Sequence, residues 1–153
     1  MSRKTGYDDT ELAMVTVQPI VEVFGLGASV RTMQDLDSIV TAGLPKRSLV
    51  PLSSRLYSDN KVASAFKFKV APVATWKRRT KRLSPLESER IERLARVLAA
   101  AEYALDDREE ARQWISSPHR ELGCKTPLET AQSEIGARRV ESVLNKLFYG
   151  LPA

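Results

Sequence analysis

Ser84-Pro85-Leu86-Glu87-Ser88-Glu89-Arg90-Ile91-Glu92-Arg93-Leu94-Ala95-Arg96-Val97-Leu98 is the stretch whose reading decides the fold. A hydroxyl that can accept from the first helical amides, a proline in the first turn and a glutamate three residues after the serine together make a capping box. The helix it opens is predicted to run to about Leu105, with Leu86, Ile91, Leu94, Leu98 and Ala101 on its inward face. Glu89 with Arg93, and Glu92 with Arg96, stand four residues apart and are expected to pair on the outward face.

Toward the C-terminus the pattern repeats. Asp106 or Asp107 caps a helix carrying Ala111, Trp114 and Ile115, and Pro118 stops it. Thr126-Pro127-Leu128-Glu129 restates the start signal, and Gly136-Ala137 precedes a last helix with Val140, Val143, Leu144 and Leu147 inward and Gly150 just past its end. Toward the N-terminus, Pro72 suits a first helical position, and Val73, Trp76 and Thr80 share a stripe opposite Lys77, Arg78 and Lys81. Before it, Asp59 or Asn60 caps a short helix holding Val62, Ala63, Phe66 and Phe68. Leu49, Leu52 and Leu56 mark another, and Pro51 requires that one to begin near Ser48 to Val50. Met33, Leu36, Ile39 and Val40 form a first helical face that Gly43 closes.

Residues 1–30 read as an N-terminal arm, mobile or an irregular edge strand as far as Pro19, with a turn at Gly25-Leu26-Gly27 rather than a nucleotide loop, because the third glycine is missing. The expected fold is therefore all-α. Within residues 31–82, two short helices, a brief turn and a basic second helix are the ingredients of a helix-turn-helix. Residues 83–153 form a second helical portion.

Charge divides the chain in the same places. Residues 1–45 hold 3 basic and 6 acidic groups, residues 46–82 hold 11 and 1, and residues 83–153 hold 10 and 12. The whole excess of the +5 chain thus sits in the centre, densest at Lys77-Arg78-Arg79-Thr80-Lys81-Arg82. Such a run is either a solvated helix face or the footprint of a polyanion, with nucleic acid the leading partner. An arginine can read guanine in the major groove, a threonine can meet a base or a phosphate, and lysines mainly hold the backbone. Ala74, Thr75, Lys77 and Arg78 are expected to face bases or adjoining phosphates, and Arg79, Lys81 and Arg82 to hold phosphates. Trp76 is read as the anchor of this helix, with stacking near DNA as the alternative.

The 153 residues suffice for one domain or two small ones sharing a core, and 42% hydrophobic with 28% charged residues is a globular balance. No apolar run reaches the roughly 20 residues of a membrane helix, and the first residues lack a signal-peptide core, so a soluble cytoplasmic protein is expected. Cys124 and His119 are the single cysteine and the single histidine. That removes disulfides, clustered zinc ligands and most nucleophile relays, so neither catalysis, metal nor cofactor is expected. His119 reads as a turn histidine, Cys124 as a buried or indifferent thiol, Trp114 as core, and the acids from Asp106 to Glu110 as helix-start electrostatics.

Thr75-Trp76-Lys77-Arg78-Arg79, Leu83 to Val97, Ala111 to Pro118, Leu122 to Glu129 and Glu134 to Gly150, in that order, resemble the Xre/MbcA/ParS family of bacterial antitoxins. Departures from the family pattern are Cys124 where a second glycine is usual, the less apolar Ala131-Gln132, and the absence of the usual leucine-glycine turn in residues 66–71. The resemblance implies an Xre-like helix-turn-helix portion followed by a small helical domain that binds a RES-domain toxin, an NAD-depleting enzyme, so that the antitoxin itself needs no active site. It also implies that Asn145, Lys146, Phe148, Tyr149, Gly150 and the short tail form the inhibitory contact, that the complex represses its own promoter, and that a homodimer presents two recognition helices to operator DNA. The alternatives from residues alone are a stand-alone helix-turn-helix regulator, or an interaction protein whose cations meet an acidic protein patch.

Overall fold

Ser84 does open the central helix. In the computed structural model, which describes residues 16–79 and 81–151, its hydroxyl accepts from the Glu87 amide at 3.2 Å, and the helix runs Pro85–Leu105. In chain order the helices are α1 Val17–Phe24, α2 Met33–Ala42, α3 Leu49–Leu56, α4 Asn60–Ala65, α5 Lys67–Val70, α6 Val73–Arg78, α7 Pro85–Leu105, α8 Arg108–Ile115, α9 Pro127–Thr130 and α10 Glu134–Phe148. Short 3-10 turns lie at Lys46–Ser48 and Arg120–Leu122. Among the described residues there is no strand, only isolated bridges Pro45 to Arg82 and His119 to Lys125. The fold is all-α.

The 21-residue α7 is the axis of the molecule. Ile91, Ala95, Val97, Leu98 and Ala101 are fully buried on it, and α1, α2, α8 and α10 all pack against it. Five alanines among its last eleven residues keep its surface narrow, so helices approach it from several sides. One continuous core runs from Val17 to Leu144. Each large aliphatic side chain hidden there contributes roughly 1.5–3 kcal/mol.

Several expectations change. Residues 17–24, expected to continue an arm or edge strand into a turn region, form α1, with Ile20, Val23 and Phe24 completely buried. Pro19 fits because it occupies the first turn, where its missing amide hydrogen has no helical acceptor to lose, and Gly25 closes the helix in a left-handed conformation (φ 61°). The rest of the arm reading, residues 1–15, and the Thr80 position in the α6 stripe lie outside the described residues. Leu86 is 77% exposed and Leu147 41% exposed rather than inward. Each sits in a terminal turn of its helix.

Cys124, read as a buried or indifferent thiol, is exposed, at a positive φ of 61°. Glu92 and Arg96 pair as expected at 3.4 Å, but Arg93 turns to the Gln132 carbonyl at 3.1 Å instead of to Glu89. His119 is a turn residue, its Nε2 2.8 Å from the Trp114 carbonyl and its ring stacked on the half-buried Trp114.

Candidate DNA and toxin interfaces

α6 is short because both its ends are dictated by sequence. Pro72 forces Ala71 into an extended conformation (φ −149°, ψ 154°), which breaks α5 from α6 and makes the turn. Pro72 is then the N-cap residue, one position earlier than its expected place inside the helix. Trp76 crosses the turn, its indole Nε1 donating to the Lys67 carbonyl at 2.8 Å and the Ala71 carbonyl at 3.0 Å. The tryptophan therefore anchors α6 to α5, the first of the two readings of this residue.

The six cation-rich site candidates divide into two sets. Arg79 is half-buried, with its guanidinium 4.9 Å from the Trp76 ring centre and both terminal nitrogens on the Glu87 carboxylate, Nη2 to Oε1 at 2.6 Å. Burial pushes the Glu87 carboxyl up, but this guanidinium outweighs it and leaves the group below the usual carboxylate range. Arg82 donates to the Gly43 carbonyl at 3.0 Å. Lys77, Arg78 and Lys81 are exposed and form no salt bridge among the described residues, and Thr75 is half-buried with its carbonyl accepting from the Arg79 amide. Thr75, Arg78, Arg79, Lys81 and Arg82 nonetheless line a single shallow depression of about 570 Å³. Five of the six candidates are thus brought together, and Lys77 lies outside the depression.

Past α6 the chain is extended and stitched back to the segment before α3. Leu83 donates its amide to the Leu44 carbonyl and Lys46 its amide to the Lys81 carbonyl, both at 2.9 Å. Gly43 makes this possible, since a Cβ there would stand 2.2 Å from the Leu83 carbonyl oxygen. The Leu44 amide is taken by the buried Ser88 hydroxyl at 2.8 Å. The stitch brings Lys46 and Arg47, both exposed, beside the basic run. Nothing local in the sequence signals that approach, and these two residues were not among the expected contacts.

The other candidate surface is the end of α10. Its Gly136 sits so close to α9 that a Cβ would lie 1.7 Å from the Thr130 carbonyl oxygen, which fixes how α10 enters the core. At its far end the Leu151 amide bonds to the Lys146 carbonyl and the Gly150 amide to the Leu147 carbonyl, with Gly150 left-handed (φ 67°) as the expected terminating glycine. Phe148 packs edge-on against Tyr149 and 5.2 Å from the Tyr103 ring of α7. Tyr103, Leu147, Tyr149 and Leu151 remain 41–57% exposed. Lys146 and Gly150 are exposed beside them, whereas Asn145 is 9% exposed, and its Oδ1 has no hydrogen-bond partner. Asn145 therefore lies beneath the patch rather than on it. Tyr103 belongs to the patch and was missed, although an aromatic off the core-facing stripe of a long helix is the signal that could have found it.

Two family models match this architecture in succession. The Antitoxin Xre-like helix-turn-helix domain covers residues 35–96, and the Antitoxin Xre/MbcA/ParS C-terminal toxin-binding domain covers residues 99–150. The chain belongs to the Xre/MbcA/ParS antitoxin family. It is 27% identical over 119 residues to an Antitoxin Xre of Pseudomonas putida, an alignment spanning 76% of this chain and 72% of that one. It is 37% identical over 71 residues to an Antitoxin Xre of Yersinia enterocolitica, spanning 46% and 48%. In this antitoxin the helix-turn-helix match takes in α2 to α6 and the first half of α7, and the toxin-binding match takes in the rest of α7 to α10. The aromatic patch lies in the second match and the basic depression in the first. Among the described residues no cluster of histidine, cysteine and acidic groups is arranged to hold a metal ion, and no helix is long and apolar enough to cross a membrane.

Proposed function

We propose that this antitoxin neutralises an NAD-depleting RES-domain toxin through the end of α10, and represses its own promoter through α6. The observation that carries the reading is the patch of exposed Tyr103 and Tyr149 around half-buried Phe148, inside the toxin-binding match. Amphipathic aromatics around a small apolar centre are what protein interfaces use as energetic anchors. Lys146, Phe148, Tyr149 and Gly150 supply the contact and Asn145 supports it from below. In this reading residues 31–82 give the DNA-facing surface and residues 83–153 the toxin-facing one. No residue of the antitoxin needs to react, so it acts in the cytoplasm as a binding protein without a cofactor.

A homodimer would present two α6 helices to a palindromic operator, its half-sites about 34 Å apart. Thr75, Lys77, Arg78 and Lys81 supply direct contacts in this reading. Arg79 and Arg82 border the same depression while bound to the fold. The deciding experiment co-expresses the chain with the product of the adjacent open reading frame, purifies through a tag on the antitoxin, and follows NAD in reactions with and without the antitoxin. A co-purifying partner whose NAD consumption the antitoxin suppresses supports the reading. The absence of a partner, or one inert toward NAD, favours a stand-alone regulator. Tyr149→Ala is expected to weaken neutralisation about 30-fold while leaving DNA binding intact, the size of a 2 kcal/mol interface anchor. Arg78→Ala is expected to do the reverse, and equal losses in both assays would mark unfolding.

A further inference from the structure

We propose that the DNA surface of this antitoxin extends beyond α6 to a second phosphate-holding track made by Lys46, Arg47 and Lys67. This rests on the DNA-binding reading above and assigns it residues that the helix-turn-helix motif alone does not name. Lys46 and Arg47 lie about thirty positions before α6, yet the amide of Lys46 is bonded to the carbonyl of Lys81 at 2.9 Å. The Pro45 to Arg82 bridge holds the two segments antiparallel. The cations before α3 are thereby held at a fixed distance from the cations after α6.

Beside the cations before α3 lies a second open depression of about 530 Å³, whose walls include Lys46, Arg47, Ser54, Asn60, Lys67 and Trp76. No carboxylate lines it. The cleft bordered by Met33 and Val40 is the opposite case, lined by Asp37, Glu89, Glu92 and Glu134. Lys46, Arg47 and Lys67 are exposed and enter no salt bridge among the described residues. Trp76 touches this depression, and Arg79, stacked on Trp76, borders the first one. The Trp76–Arg79 pair therefore joins the two hollows.

A duplex seated on α6 carries phosphate charge on both edges of the groove the helix enters. Arg78 and Lys81 serve one edge, and the second track serves the other. The charge is of the right sign, unneutralised, and continuous with the α6 surface through the backbone stitch. An acidic protein patch could also meet these cations, but it would release few counterions and would not track the duplex. Phosphate contacts position without reading sequence, so the track should add affinity equally to operator and to unrelated duplex.

The test measures binding of the full chain to a duplex from its own upstream region and to a scrambled duplex of equal length, by fluorescence anisotropy across a salt series. The double variant Lys46→Ala/Arg47→Ala is expected to lower the log-log salt slope by about two relative to the parent, with the ratio of operator to scrambled affinity unchanged. Lys46→Arg/Arg47→Lys should keep the parental slope, and Arg139→Ala on the exposed side of α10 should change nothing. A parental slope in the alanine double variant overturns the track and leaves α6 binding standing, as does a loss confined to the operator. If the parent itself shows no salt-dependent binding to either duplex, the DNA-binding reading falls and the track with it. Loss of slope together with a changed circular dichroism spectrum is separated by Lys67→Ala. That change touches neither the stitch nor the core, and alone should remove about one unit of slope.

Discussion

Cys124 follows Gly123 in a double left-handed turn, φ 67° and then 61°, that lets His119 and Lys125 bridge. A side chain with a β-carbon costs about 1 kcal/mol in that conformation, which gives a physical reason for the glycine usual at this place in the family. Cys124→Gly should therefore raise stability by about 1 kcal/mol, seen as a higher urea midpoint with an unchanged m-value. Glu87 offers a test whose sign is informative. Removing a negative charge near a DNA-facing surface should strengthen binding if Arg79 were only a phosphate contact. With Arg79 held by Glu87 and Trp76 as the brace of α6, Glu87→Gln should instead weaken operator binding several-fold and leave toxin binding unchanged. Anisotropy titrations of both partners check this. The sequence marked Arg79 as one of five cations in six residues, and charge alone cannot tell a brace from a contact. What separates Arg79 from Arg78 is a carboxylate eight positions later, visible only once α7 folds beside α6.

Helix starts were the most legible elements because their chemistry is local. Ser84, Asp107 and Thr126 cap where the sequence placed them, and Thr126 with Glu129 forms the full reciprocal box. At Ser84 the box is half made, since the Glu87 carboxylate goes to Arg79. α1 was not legible. Its valines and proline favour an extended reading taken alone, and the helix forms because Ile20, Val23 and Phe24 find a complete burial site against α3 and α7. The junction of α9 with α10 is where an element depends on a single atom that is not there. Gly136→Ala would drive a methyl into the Thr130 carbonyl, and should destabilise by about 2–3 kcal/mol in thermal or denaturant unfolding. Toxin affinity should fall with stability, because α10 cannot keep its entry angle. α6 and the turn before it were legible through Pro72 and the cations, but the second set of cations was not, since only the long-range stitch brings Lys46 beside Lys81.

At the scale of the molecule, α7 and α10 are joined at their surface by Arg96, which reaches Glu92 at 3.4 Å, Glu134 at 2.9 Å and Glu141 at 2.8 Å. Burial raises the carboxyls of Glu92 and Glu141 above their ordinary range despite this partner. A carboxyl raised in the folded state holds its proton more tightly there than in the unfolded chain. Its contribution is therefore full below the ordinary carboxylate range and lost as pH rises through the folded value. Glu92→Gln, which cannot ionise, should gain stability relative to the parent as pH rises above the ordinary carboxylate range, measured by denaturant midpoints across a pH series. The shared core makes a second expectation. Residues 83–153 expressed alone expose the faces of α7 that α1 and α2 cover, and should fail to give a cooperative thermal transition, whereas the full chain unfolds in one step.

The two family matches meet between residues 96 and 99, in the middle of α7, with no loop between them. A helix turns about 100° and advances about 1.5 Å for each residue. Adding one residue at that seam would therefore swing the aromatic patch a quarter-turn or more around the axis relative to α6, while every side chain on either side kept its identity. Exchange of recognition halves between relatives is thus a problem of phase, and a hybrid joined in α7 must conserve the count of residues between Ser84 and Asp106 before it conserves anything else.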